Sequence, residues 1–122
     1  MTTTKPGIQA QITWIYTENL EESERFYRYV LGLECIRDEG TARIYRTVGD
    51  AAIGVCKVFD DRVVEPKGGM VSLVTDDVDG WYSELTRAGV KTKPPHRLEQ
   101  FGIYTFFAKD PSGYIIEFQQ FD

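Results

Sequence analysis

The sequence predicts an α+β fold built from two βαβββ modules. Three observations lead to this prediction. The order strand, helix and three strands occurs twice along the 122 residues. Each predicted helix ends at a glycine, and these two glycines, Gly32 and Gly89, hold equivalent places in the two runs. A charged segment with Pro66 and Gly68 separates the runs. We expect a disordered lead (1–7) and one domain made of module one (8–58), a linker (59–68) and module two (69–122).

In module one, the β-branched and aromatic run IQAQITWIYT at 8–17 predicts the first strand. Asn19 is typical of a helix N-cap, and Glu22 stands at the capping-box position. Apolar residues at helical spacing then continue to Leu31, before Gly32. The other predicted strands are 35–37, 42–48 and 51–58, and Gly49-Asp50 indicates a tight turn between the last two.

Module two begins with a predicted strand at 70–75. Asp77 can cap a helix that carries Trp81 and Leu85 on its apolar face and ends at Gly89. Residues 90–93 indicate a short strand, which Pro94-Pro95 would end. The last predicted strands are 103–108 and 114–121, joined by the turn Asp110-Pro111-Ser112-Gly113.

Composition excludes several classes of protein. The apolar fraction is 42% and the charged fraction 27%, as in ordinary globular domains. Two cysteines, Cys35 and Cys56, are too few for a disulfide scaffold. The net charge of −5 argues against a nucleic-acid partner, and no apolar run is long enough to predict a membrane span. Residues 1–7 contain no apolar signal segment, so we expect a cytoplasmic protein.

Two segments carry a family resemblance. FYRYVLGLE at 26–34 resembles the first-helix signature of the glyoxalase/bleomycin-resistance/extradiol-dioxygenase superfamily, also called the vicinal oxygen chelate fold. DPSGYIIE at 110–117 resembles the last turn and strand of that superfamily, and DVD at 77–79 and AGV at 88–90 also fit. The resemblance covers residues 8–121 and implies that the two modules form a curved, cup-shaped mixed sheet.

The same resemblance implies four positions for metal ligands on strands that face the cup. They fall on Ile12, on Ile53 or Val55, on Met70, and on Glu117. Of these residues only Glu117 has a side chain that can bind a divalent cation, and one carboxylate holds such an ion weakly. We therefore predict no metal site and no cofactor.

Alternation along the strands extends the set of residues that face the cup. If Ile12 points into the cup, Trp14 and Tyr16 do so too, whereas Thr13 and Ile15 meet the helix. The predicted ligand-binding residues are Trp14, Tyr16, Met70, Ser72, Thr105, Phe107 and Glu117. Two alternatives stay open: Trp14 and Phe107 could fill a closed cup as core residues, and Tyr16 could lie at the rim.

Glu117 has three possible roles at this stage. A carboxylate that faces an apolar cup needs a partner. It could be a general base, a counter-charge for a cationic ligand, or a residual ligand position paired with Arg43 or Arg46. His96, the only histidine, follows Pro94-Pro95 and is expected in a solvated loop.

The preferred function is metal-independent binding of an aromatic or apolar, and in one version cationic, small molecule. Antibiotic resistance by sequestration, as in the bleomycin-resistance branch, is the role that the resemblance implies. The alternative is an enzyme, a glyoxalase-type lyase or isomerase or a dioxygenase, with Glu117 as catalytic base or metal ligand. We expect a homodimer, because superfamily chains of this kind usually pair.

Overall fold

The fold contains two four-stranded mixed sheets, each with one helix packed on it, in the computed structural model, which describes residues 5–122. Residues 1–4 of the expected disordered lead lie outside the described residues. The elements of module one are β1 (Gln11–Thr17), α1 (Leu20–Glu24), a π-helical segment (Arg25–Val30), β2 (Glu34–Asp38), β3 (Ala42–Val48) and β4 (Ala51–Lys57). Its strand order is β1-β4-β3-β2, with β1 and β4 parallel and the other pairs antiparallel.

Module two repeats this arrangement. Its elements are β5 (Met70–Val74), α2 (Val78–Arg87), β6 (His96–Leu98), a 3₁₀ turn (Glu99–Phe101), β7 (Ile103–Lys109) and β8 (Ile115–Phe121). The strand order is β5-β8-β7-β6, with β5 and β8 parallel and the other pairs antiparallel. The predicted βαβββ order is therefore present twice, and the strands form two sheets rather than one continuous sheet.

The predicted helix caps are present. The side chain of Asn19 accepts a hydrogen bond from the Glu22 amide at 3.2 Å, and that of Asp77 accepts one from the Gly80 amide at 2.9 Å. Gly32 and Gly89 have φ values of 72° and 85°, the left-handed conformation that a residue with a Cβ rarely adopts. The first helix differs from the regular helix we expected, because it widens into π-helical geometry after Glu24.

The short strand expected at 90–93 is wrong. The Val90 amide donates to the Leu85 carbonyl at 2.9 Å and the Gly89 amide to Thr86 at 3.0 Å, which is the hydrogen-bond pattern of a Schellman cap. Val90 therefore belongs to the C-terminal cap of α2 and not to a strand. The second strand of module two, β6, begins only after Pro94-Pro95, since proline has no N–H to donate to a ladder.

One apolar core is built from both modules, which supports the proposed single domain over 8–122. Its buried members are Ile15, Leu20, Phe26, Tyr27, Leu31, Tyr45, Ile53, Val55, Val78, Leu85, Phe106, Ala108, Ile116 and Phe118. A buried hydrogen bond also joins the modules: the Tyr27 hydroxyl donates to Asp110 Oδ2 at 2.8 Å. Asp110 Oδ1 accepts from the amides of Ser112 and Tyr114, both at 2.9 Å. Burial raises the pKa of Asp110, and these hydrogen bonds oppose the shift.

Replacing Tyr27 by Phe removes this bond and keeps the ring. Because the pKa of Asp110 is raised on folding, this group's contribution to stability falls as pH rises above the ordinary aspartate range. Loss of the Tyr27 donor raises the pKa of Asp110 further, so the loss in free energy of unfolding caused by the substitution grows with pH. We expect Tyr27→Phe to lower the free energy of unfolding by about 1.5–3 kcal/mol at neutral pH and by less in acid, measured by urea unfolding.

Tyr104→Phe is the matched control, because the Tyr104 hydroxyl donates to Asp79 at 2.6 Å on the exposed surface. An exposed bond of this kind contributes little to stability. A Tyr27→Phe loss that equals the control, or one that does not change with pH, would contradict the role given to the Tyr27–Asp110 bond.

Candidate functional site

Each sheet has one face in the core and one face turned outward. On β1, Trp14 and Tyr16 lie on the outward face, whereas Ile15 and Thr17 are buried. We call the outward faces of the two sheets the cup face. In module one it carries Ile12, Trp14 and Tyr16, and opposite them on β4 Ala52, Gly54 and Cys56.

We expected Ile53 or Val55 to face the cup from the inner strand of module one, and this expectation is wrong. Ile53 and Val55 are buried in the core, 1% and 0% exposed. The parallel register sets them beside Thr13 and Ile15, the residues of β1 that face inward. The Gly49-Asp50 turn alone left this register undetermined, and a shift of one residue exchanges the two faces of a strand.

Trp14 is the largest side chain on the cup face of module one. Its indole covers Gly54, where a Cβ would lie only 2.5 Å from the ring atom Cε3. Glycine at this position therefore allows the ring to lie against the sheet. The side chain remains 43% exposed. It lines a cavity of about 350 Å³ between β1 and β5, together with Met70 and residues of the segment that precedes β5. The structure thus brings two of the predicted site residues together, Trp14 and Met70.

The cup face of module two carries the other predicted residues. Ser72 on β5, Glu117 on β8 and Phe107 on β7 stand opposite one another in register, and Thr105 lies two residues before Phe107. Met70 and Phe107 are exposed, whereas Thr105 and Glu117 are buried. This half of the cup face is therefore apolar at its surface with a polar centre.

Glu117 is 2% exposed and accepts hydrogen bonds from three neutral side chains. Ser72 Oγ and Gln119 Nε2 donate to Oε1, the latter at 3.0 Å, and Thr105 Oγ1 lies 2.8 Å from Oε2. Thr105 Oγ1 also lies 3.0 Å from the Phe118 carbonyl, so its single proton can serve only one of the two acceptors. Oε1 therefore accepts two hydrogen bonds, and Oε2 accepts one when the Thr105 proton is turned toward it.

The suggested pairing of Glu117 with Arg43 or Arg46 is wrong. Arg43 forms ion pairs with Glu21 at 3.1 Å and with other acidic residues of module one. Arg46 pairs with Glu34 at 3.4 Å. Both arginines belong to module one, where these acidic side chains are nearer in the fold than β8.

His96 is a cup-face residue that the sequence analysis assigned to a loop. It begins β6 and pairs with Thr105 on β7, so that its side chain shares the face of Thr105 and Phe107. The imidazole centroid lies 6.4 Å from that of Phe107. The alternation of His96 and Leu98 around Arg97 is the signal that could have indicated a strand.

Arg62 is a second residue that the sequence analysis left out of the site, because it lies in the linker. Its Nη1 donates to the Tyr16 hydroxyl, which attaches the linker to the cup face of module one. The guanidinium carbon lies 5.6 Å from the Tyr16 ring centroid and 5.5 Å from that of Phe59. The hydrogen bond from Arg62 to Tyr16 is the main cause of a raised pKa for Arg62, which stays fully charged.

The residues present do not fit the metal that the fold family implies. Ile12 has no donor atom, and the soft thioether of Met70 does not suit a hard cation. The β4 residues on this face are Ala52, Gly54 and Cys56, of which only Cys56 has a side-chain donor atom. Glu117 lies in the other module and is 2% exposed, and one carboxylate holds a divalent cation weakly. Within residues 5–122, no group of three or more His, Cys, Asp or Glu side chains is placed to hold a metal ion.

A separate groove of about 530 Å³ opens between the modules on the side of the core. It is lined by Leu31, Leu33, Leu73, Trp81 and Phe118, among others. Of the predicted site residues only Ser72 reaches it. Trp81 stacks on Phe118 there with ring centroids 5.1 Å apart, as expected for a residue on the buried face of α2. We take this groove as part of the packing between modules rather than the ligand site.

Comparison with known proteins gives a family match and several similar folds. A family model described as the Glyoxalase/Bleomycin resistance protein/Dioxygenase superfamily matches residues 8–118. The phenazine antibiotic resistance protein EhpR of Enterobacter agglomerans is 27% identical over 119 residues, which cover 91% of each chain. In the described part of the chain, no helix has the length and apolar character needed to cross a membrane.

Two solved structures illustrate the fold. Lactoylglutathione lyase from Agrobacterium tumefaciens superposes with a TM-score of 0.75 at 23% identity, covering 94% of this chain and 95% of that one. The fosfomycin resistance protein FosX from Listeria monocytogenes superposes with a TM-score of 0.73 at 14% identity, covering 98% and 96%. At these identities the likeness shows the fold alone, and it confirms the predicted fold class.

Proposed function

This chain belongs to the glyoxalase/bleomycin resistance protein/dioxygenase superfamily, and we propose that it binds a flat aromatic or apolar small molecule without a metal. The similarity to a phenazine antibiotic resistance protein and the glyoxalase-fold neighbours support a resistance or small-molecule-binding role. The role we propose is sequestration of a planar antibiotic, because the cup face has apolar side chains and no metal-binding set.

The observation that carries this proposal is the setting of Trp14. Its ring lies against Gly54 on one side, remains 43% exposed, and borders a cavity with Met70. With Ile12 and Met70, which are also exposed on this face, the ring contributes to an apolar surface, and a contiguous surface of this kind is typical of a binding site. A planar ligand can stack on the open part of the indole, a contact worth about 0.5–1.5 kcal/mol beyond the area it buries.

The cationic version of the ligand receives no support from Glu117. To bind a cationic ligand, Glu117 would need a carboxylate oxygen that can turn toward the cation. Both oxygens instead accept hydrogen bonds from Ser72, Thr105 and Gln119. The carboxylate is also only 2% exposed, which gives the enzyme alternative no support, since a general base must reach the proton that it abstracts.

We also propose a homodimer, with the second copy covering the part of the cup face that the ligand does not occupy. Apart from Trp14 and Met70 at the ligand cavity, several large apolar side chains are exposed on this face in a single chain: Ile12, Val74, Phe107 and Phe121. An apolar surface of this kind is usually covered by a partner. Light scattering at micromolar concentration should give twice the chain mass of 14.0 kDa. A mass of one chain would contradict the dimer and leave the ligand site to a single chain.

Replacing Trp14 by Ala tests the ligand site. We expect the affinity for phenazine, measured by calorimetry, to fall by at least about threefold, because the stacking contact is lost. The melting temperature should change little, since Trp14 is not in the core. Tyr29→Ala is the control: Tyr29 is an exposed aromatic residue on the first helix, and its loss should leave the affinity unchanged.

The core-filler alternative gives the opposite result. A buried tryptophan replaced by alanine costs about 3–5 kcal/mol of stability. A large fall in melting temperature for Trp14→Ala, with phenazine and related flat compounds failing to bind the unaltered protein, would overturn the proposed function.

A further inference from the structure

Arg62 is a cation held at a fixed place on the cup face. The guanidinium carbon lies over the rings of Tyr16 and Phe59, at 5.6 Å and 5.5 Å from their centroids. Nη1 also donates to the Tyr16 hydroxyl. Two aromatic faces and one hydrogen bond therefore restrain the planar group before any ligand arrives. Most arginine side chains on a surface lack such restraint and lose rotamer freedom when they bind.

The charge of Arg62 is only weakly compensated. Its carboxylate partner is Asp61, whose Oδ1 lies 3.9 Å from Nε and whose side chain is 97% exposed. Such a solvated pair contributes little. Arg37 and Arg46 of module one have closer partners in Glu39 and Glu34. Within residues 5–122, no acceptor lies within hydrogen-bond distance of Arg62 Nη2.

The other charges of the linker are mixed. Asp60 and Asp61 precede Arg62 and are exposed, so that solvent screens them, and Glu65 and Lys67, which line the cavity that Trp14 borders, carry opposite charges. Glu117 lies in module two with its carboxylate buried and hydrogen-bonded. The whole chain has a net charge of −5 and so attracts no anion by its overall field. An anion that binds the cup face therefore needs a specific cation, and Arg62 is placed to supply it.

We propose that the ligand of the cup face is a planar aromatic carboxylate and that Arg62 binds its carboxylate group. This inference rests on the proposed function. Tyr16 follows Trp14 on the same face of β1, about 7 Å farther along the strand. A ring stacked on Trp14 can therefore place an attached carboxylate beside the guanidinium at Tyr16. The planar fork of arginine matches a carboxylate with two parallel hydrogen bonds, which a lysine ammonium cannot form.

The test compares two ligands with the same ring system. Phenazine carboxylate and the corresponding phenazine carboxamide differ in charge and share the ring that stacks on Trp14. We expect the unaltered protein to bind the carboxylate about tenfold more tightly than the carboxamide at neutral pH, by calorimetry. In Arg62→Gln this preference should disappear because carboxylate affinity falls, while carboxamide affinity stays. Arg62→Lys should retain only part of the preference.

Arg87→Gln is the matched control. Arg87 is an exposed arginine of α2 paired with Glu84 at 2.9 Å, and its replacement removes one positive charge as Arg62→Gln does. The control should keep the tenfold preference. A preference lost in both variants would mean that net charge, not Arg62, selects the ligand, and would overturn the inference.

Other outcomes separate this inference from the proposed function. Equal affinity of the unaltered protein for both phenazines, with Trp14→Ala weakening both, would overturn the role of Arg62 and leave the aromatic site. Equal loss of both ligands in Arg62→Gln, together with a lower melting temperature, would show that Arg62 only holds the linker. Binding of neither phenazine to the unaltered protein would overturn both proposals.

Discussion

Both sheets place one face in a single shared core, and this constraint decides what their other faces can do. The core takes residues from β1 and β4 of module one and from β7 and β8 of module two. The buried hydrogen bond from Tyr27 to Asp110 fixes the first helix against the turn that starts β8. Because strand side chains alternate, burying Ile15 and Ile116 leaves Trp14 and Glu117 on the opposite faces. The two faces that carry the candidate site are thus a consequence of the packing between modules.

The outward faces of the two sheets differ in whether they contain a buried, hydrogen-bonded carboxylate. Module two buries Glu117 in hydrogen bonds with Ser72, Thr105 and Gln119, so a position that resembles a metal ligand acts as an acceptor within the sheet. Module one has no such group and presents Trp14 over Gly54. The site that follows from this arrangement is apolar and aromatic, with a cation at its edge supplied by the linker through Arg62 and Tyr16.

Sequence reasoning was sufficient where a local rule governs the structure. Asn19 and Asp77 cap helices because their side chains reach amides three residues ahead, and Gly32 and Gly89 end them because a positive φ is needed. Strand alternation in β1 set Trp14 and Tyr16 apart from Ile15.

Sequence reasoning was insufficient where segments that are distant in the sequence meet in the fold. The register of β4 against β1 decides whether Ile53 faces inward, and no residue of the Gly49-Asp50 turn encodes that register. Two of the three partners of Glu117, Ser72 and Thr105, come from other strands, and Arg62 reaches Tyr16 across 46 positions of sequence.

The measurement that most directly tests metal-independent aromatic binding is a phenazine titration before and after chelator treatment, with elemental analysis of both samples. We expect equal phenazine affinity in the two samples and no stoichiometric divalent metal in either. Binding that is lost with the chelator and restored by one divalent ion per chain would contradict it.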